Sequence, residues 1–168
     1  PGGVSQIVSG PGDRVLTKGD VLFIDTGSTY DGYFCDFDRN FGVGSISSMV
    51  ARIHETLWQA TSAGINATIP GTTTEKIWFA INKTLENAGA NKSGVGRLGH
   101  GVGLQLTEPP SHRKGEKIII EENMVLTIEP GIEYEPGKML VHEENIVVTK
   151  DGPRLLTRRA PREMPVIR

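Results

Sequence analysis

Four carboxylates in this 168-residue chain stand where charge is costly to place. Asp25 and Glu129 each close an apolar run, VLFID and MVLTIE, and an anion there needs compensation. In each case a glycine follows two residues on (Gly27, Gly131), then a tyrosine (Tyr30, Tyr134), a turn and a returning stretch with another carboxylate (Asp36, Glu143). One such carboxylate would be read as a turn cap held by backbone N–H groups; four in matching places point to a shared site. Converging carboxylates repel unless cations are present, and two divalent ions would cancel four negative charges. Oxygen-rich ligation suits Mn(II), Co(II), Fe(II) or Zn(II).

A nitrogen ligand would come from one of four histidines. His54 lies beside Glu55 on a helical stretch and is expected to be solvated. His112 follows EPPS in a charged loop and is expected to be exposed. His142 directly precedes Glu143, so strand alternation turns it to the opposite face. His100, in LGHGVGL, lies between the two carboxylate hairpins, and its flanking glycines let the backbone come close to a central site.

The elements that must position these groups are short. Turn signals GPGD and TKGD lead into a strand at 21–25, and Asp31-Gly32 turns the chain into its aromatic-rich partner. A helix is expected over 47–63 from apolar residues at Val50, Ile53, Leu57 and Ala60, closed by Gly64. A second helix starts at a capping box, Thr72 with Glu75, carries Ile77, Ile81, Leu85 and Ala88 on one face, and stops at Gly89. Strands return at 124–129, in GKMLVHEENIVVT as another pair member, and in GPRLLT as a short final one. The reading is an α/β (α+β) fold with a pseudo-twofold repeat: half-repeats at 19–44 and 122–150, joined by helices across 47–89.

Net charge is −2, which gives no reason to expect nucleic acid or a membrane surface as partner. No apolar run reaches the roughly 18 residues of a bilayer span. The one cysteine, Cys35, excludes an intrachain disulfide and fits a reducing compartment, with the cytoplasm as the expected location.

IDTG…YFCDFDRNF, GHGVGL, TIEPGI and HEENIVVT together resemble the ligand motifs of the pita-bread metallopeptidases, the family of methionine aminopeptidases, Xaa-Pro dipeptidases and creatinase-like proteins. The resemblance runs from about Gly19 to Pro165 and includes the order Asp, Asp, His, Glu, Glu and the eleven-residue step from Asp25 to Asp36. It lies nearest the Xaa-Pro branch. It implies a dinuclear site, with Mn(II) favoured, in which Asp25 serves one ion, His100 and Glu129 the other, and Asp36 and Glu143 bridge. It further implies peptide hydrolysis by a metal-bridging water, with His100 and Glu129 as catalytic groups and Glu129 carrying the proton. Arg39 matches an arginine of the Xaa-Pro branch and is expected to neutralise and orient Asp36 or a neighbouring carboxylate.

Three positions depart from the family pattern. A substrate-side histidine seven residues after the ligand histidine is here Thr107, the histidine upstream of the first strand is missing, and Val141 replaces an arginine two residues before the last ligand. Loss of the two histidines favours a second reading, a hydrolase or lyase of a small amide or related metabolite; a third is a non-catalytic binding scaffold. The substrate is therefore expected to be a peptide or small amide. The resemblance also implies two helices upstream of the first hairpin. Only 24 residues precede Asp25, so the chain is expected to be the C-terminal portion of a longer protein, with a homodimer allowed in the full-length form.

Overall fold

The computed structural model describes residues 12–90 and 96–168, so the start of the GPGD turn lies outside the described residues. β1 (Val21–Tyr30) and β2 (Tyr33–Val43) make one long antiparallel hairpin closed by Asp31-Gly32. Both turn residues have positive φ, 49° and 84°, the combination a type I′ turn requires and one whose twist suits the flanking strands. β1 therefore does not end at Asp25. Thr26, Gly27, Ser28 and Thr29 stay in the ladder because Phe37, Asp36, Cys35 and Phe34 pair with them in turn.

α1 (Ser48–Ala67) is capped by Ser47, whose side chain accepts from the Val50 N–H. It runs past Gly64, the expected stop, because that glycine is a packing contact: a Cβ there would lie 2.6 Å from Ile128 and 2.7 Å from Ile81. α2 (Thr74–Asn87) is capped by Thr73, one residue later than the sequence suggested. Thr72 and Thr74 are tied to Ile120 and Ile118 through backbone hydrogen bonds of 2.8 and 3.0 Å, which holds Thr73 between them extended and delays the helix. Glu75 accepts from the Gly115 N–H (2.8 Å) instead of reaching back to the cap. The helix stops before Gly89, at φ 66°, as expected.

The second half is built from β3 (His100–Gly101), β4 (Glu108–Ser111), β5 (Val125–Ile128), β6 (Gly131–Glu135), β7 (Lys138–Val141), β8 (Glu144–Thr149), β9 (Gly152–Leu155) and β10 (Val166–Ile167). The sheets run β1-β2-β10, β4-β3-β5-β8-β9 and β6-β7. The second carboxylate hairpin is thus split: β5 pairs with β8 and β6 with β7. Pro130 has no N–H to give, so the ladder lapses there, although its carbonyl still accepts from His142 N (3.0 Å).

Leu57, Ala60, Ile77, Ile81 and Leu85 of the helices pack with Leu126, Ile128, Leu140 and Ile146 of the strands in one buried core. Side-chain amides join the two hairpins across β2: Asn40 donates to the Val141 carbonyl at 2.7 Å, and Asn145 exchanges hydrogen bonds with the Asp36 backbone. Among the described residues no helix is long and apolar enough to cross a membrane.

Candidate metal centre

Alternation along β2 puts Asp36 and Asp38 on one face, and the hairpin register sets Asp25 opposite Asp38 and Gly27 opposite Asp36. Asn145 fixes the Asp36 backbone by accepting from its N–H (3.1 Å) and donating to its carbonyl. On the other half, Ile128 faces Glu144 and Gly131 faces Val141, a register that continued through the gap sets Glu129 opposite Glu143. The Glu129 N–H is anchored on the Leu98 carbonyl (3.0 Å), and the Glu143 carbonyl accepts from Arg39 Nη1 (3.0 Å).

His100 sits between the halves on the two-residue strand β3, its backbone N–H donating to Thr127 Oγ1 at 3.2 Å. Its Nδ1 lies 2.9 Å from the Gly101 carbonyl. A carbonyl can only accept, so Nδ1 carries the proton and Nε2 presents a lone pair. That lone pair faces oxygens of Asp36, Glu129 and Glu143 at 3.7, 3.8 and 3.9 Å. These separations exceed hydrogen-bond length, and acceptors turned on acceptors suit a cation placed among them. Two groups of ligand atoms, each within 4.8 Å of one another, could hold a metal: Asp36, His100 and Glu143, and Asp25, Asp38 and Glu143. Glu143 belongs to both.

Burial drives the electrostatics. It raises Asp36 to about 6, with Asp25 adding repulsion. It raises Glu129 to about 7 against the pull of Arg97, and Asp38 to about 9 with repulsion from Asp25, Glu129 and Asp36. Asp25 and Glu143 are raised too, again by desolvation first. Burial lowers His100, which keeps the imidazole neutral and its lone pair free.

Because each carboxyl titrates above its ordinary value, these groups favour the metal-free fold below about pH 4 and disfavour it as pH rises through about 6, 7 and 9. Divalent ions compete with those protons. The gain in Tm on adding Mn(II) is therefore expected to grow from about pH 5 to about pH 8. A gain that is flat or shrinks over that range would contradict a carboxylate-held ion. The buried histidines outside the cluster, His54, His112 and His142, are common to both states and cancel in this difference, and burial keeps His100 neutral.

Of the five residues expected at the site, Asp36, His100 and Glu143 lie in one group, Glu129 lies 3.8 Å from His100, and Asp25, an exposed residue, lies with Asp38 and Glu143. Arg39 faces away from Asp36: it pairs with buried Glu144 (3.2 Å) and also bonds the Asp38 and Arg158 carbonyls at 2.7 Å. Thr107 is exposed in the loop between β3 and β4. Asp38, Asn145 and Arg97 stand near the cluster without being among the residues expected there. The alternation in DFD placed Asp38 beside Asp36, and a lone Asn in the run EENIVVT was the visible sign of Asn145.

Two histidine expectations are corrected. His54 is buried on α1 and packs edge-on against His142, ring centroids 4.9 Å apart, with its Nε2 on the Pro161 carbonyl at 3.1 Å. His112 is buried behind Gly99, and neither of its ring nitrogens has a hydrogen-bond partner among the described residues. Desolvation first, then His54, lowers His142 to about 3, and desolvation then His100 lowers His112 to about 4, so both remain neutral structural groups.

Fold and cluster together define an α/β domain whose acidic and histidine side chains could hold a metal ion. The chain belongs to metallopeptidase family M24, whose profile matches residues 3–151. It is 35% identical over 94% of its length to a probable dipeptidase, PepE, of Mycobacterium tuberculosis (strain ATCC 25618 / H37Rv), covering 42% of that protein. It is 36% identical over 88% of its length to a Xaa-Pro dipeptidase of Lactobacillus helveticus, covering 40% of it. The crystal structure of dipeptidase PepE from Mycobacterium ulcerans superposes with TM-score 0.86 at 34% identity, over 92% of this chain and 42% of that one. The architecture is the pita-bread fold, and the chain spans about two fifths of the length of the curated relatives it matches.

Proposed function

We propose that this chain carries the catalytic site of a peptidase that uses two divalent ions, Mn(II) favoured, to hydrolyse Xaa-Pro dipeptides or similar short peptides. The observation that carries the reading is the neutral His100 ring, whose Nε2 faces three carboxylate oxygens at 3.7–3.9 Å. Glu143, common to both groups of ligand atoms, supports a paired arrangement. His100, Asp36, Glu129 and Glu143 would hold one ion, and Asp25, with Glu143 and Asp36 between, the other. When bound, such ions lower the pKa of water and polarise a carbonyl.

The chain's own residues do the rest. Gly101 fixes the His100 tautomer, Asn145 holds the Asp36 backbone and Arg39 holds the Glu143 carbonyl. Glu129 stays partly open, with its side chain 23% exposed, and can take a proton at its carboxylate and return it to a leaving amine. The test is hydrolysis of a Xaa-Pro dipeptide by the intact protein: chelation should abolish it and Mn(II) restore it. Activity indifferent to chelation would sink the reading.

The loop from Val102 to Thr107 contains no histidine, and this favours the second reading, a small amide as substrate. Thr107→His is expected to raise kcat/KM for a Xaa-Pro dipeptide, since a missing oxyanion donor costs about 10²–10³ in kcat. Wild type already as fast as the variant would remove Thr107 from substrate choice.

A further inference from the structure

We propose that Asp38 is itself a metal ligand in this protein, completing with Asp25 and Glu143 an oxygen set for the ion not held by His100. The proposal rests on the two-ion reading above and extends it to a sixth residue.

Geometry carries it. The ligand oxygens of Asp25, Asp38 and Glu143 lie within 4.8 Å of one another. In the β1–β2 register Asp38 stands directly opposite Asp25, where like charges destabilise a sheet unless something positive lies between them. The same relation holds in the other half, where the register sets Glu129 opposite Glu143. By register, Asp38 is therefore the counterpart of Glu143, while Asp36 faces Gly27. Asp38 is only 2% exposed, and its Oδ1 has no hydrogen-bond partner among the described residues. A buried oxygen without a donor is costly, and a cation in the cluster would satisfy it.

Charge balance agrees. Asp25, Asp36, Asp38, Glu129 and Glu143 bring five negative charges when ionised. Two divalent ions supply four positive charges, which offsets all but one of them.

The competing arrangement keeps Asp38 protonated as a hydrogen-bond donor to Asp25. Asp38→Asn separates the two, because the amide can donate in the same place but offers no anionic oxygen. In Co(II) titrations of the intact protein, Asp38→Asn is expected to weaken one of two ions by more than about 100-fold and to alter its visible spectrum. Loss of an outer hydrogen-bonding partner costs only about 10–100-fold. Weakening below that bound with an unchanged spectrum overturns the assignment.

Crystals of the wild-type protein soaked in Mn(II) give a reading that no folding defect can confuse. An Asp38 oxygen at about 2.0–2.4 Å from manganese supports the proposal. Manganese bound with Asp38 beyond about 3 Å overturns it and leaves the two-ion reading standing. Wild type that takes up neither Mn(II) nor Co(II) overturns both.

Discussion

Glu129→Gln is expected to lower kcat for a Xaa-Pro dipeptide by roughly 10²–10⁴-fold while metal stays bound. Burial lifts the Glu129 carboxyl to about 7 in the metal-free chain, and its Oε2 has no hydrogen-bond partner among the described residues. A carboxyl placed in this way can hold and release a proton near neutral pH, the requirement for a general base that later acts as acid. Glutamine keeps the shape and one acceptor oxygen but cannot carry the proton. Stability should hardly fall, since the change removes a carboxyl that is strained by burial. The check is kcat of the intact variant with its metal content measured in the same sample. Near-normal kcat with metal bound would assign the proton transfer to another group.

Gly99→Ala is expected to cost roughly 2–6 kcal/mol of stability, combining backbone strain with overpacking. Gly99 sits at φ 137°, and a Cβ there would lie 2.2 Å from the Thr127 carbonyl oxygen and 2.6 Å from the buried His112 ring. Thr127 also receives the His100 N–H on its side chain, and the His112 N–H donates to the Gly99 carbonyl at 2.9 Å. Any relaxation that admits the methyl group must therefore shift His100, so metal affinity should fall with stability. Gly96→Ala is the control: a Cβ there meets nothing within 4 Å among the described residues, and its effect should stay within about 0.5 kcal/mol. Urea melts of the two variants compare them directly; equal midpoints would show that Gly99 is not needed for its close approach.

The two hairpins were legible because their signals are local. Asp31-Gly32 specifies a turn, alternation specifies the faces, and the repeated carboxylates mark where the halves meet. What the sequence concealed depends on distant contacts. Gly64 looked like a helix stop, and only the approach of Ile81 and Ile128 shows it to be a packing position. Thr72 had the capping-box pattern, yet Ile118 and Ile120 hold that stretch extended. His54 beside Glu55 looked solvated, although it shares a helical stripe with Val50, Leu57 and Thr61 that the structure buries. Asp38 was hidden by its neighbour: once Asp36 was singled out, DFD needed the strand register to show that a second carboxylate faces Asp25.

Metal content of the intact protein, dialysed against Mn(II) and then against metal-free buffer, tests the central claim most directly. Two ions per chain are expected in the wild type, with His100→Ala and Glu143→Ala each retaining fewer. A wild-type protein that retains no Mn(II), with both variants indistinguishable from it, would contradict a metal centre built on His100 and Glu143.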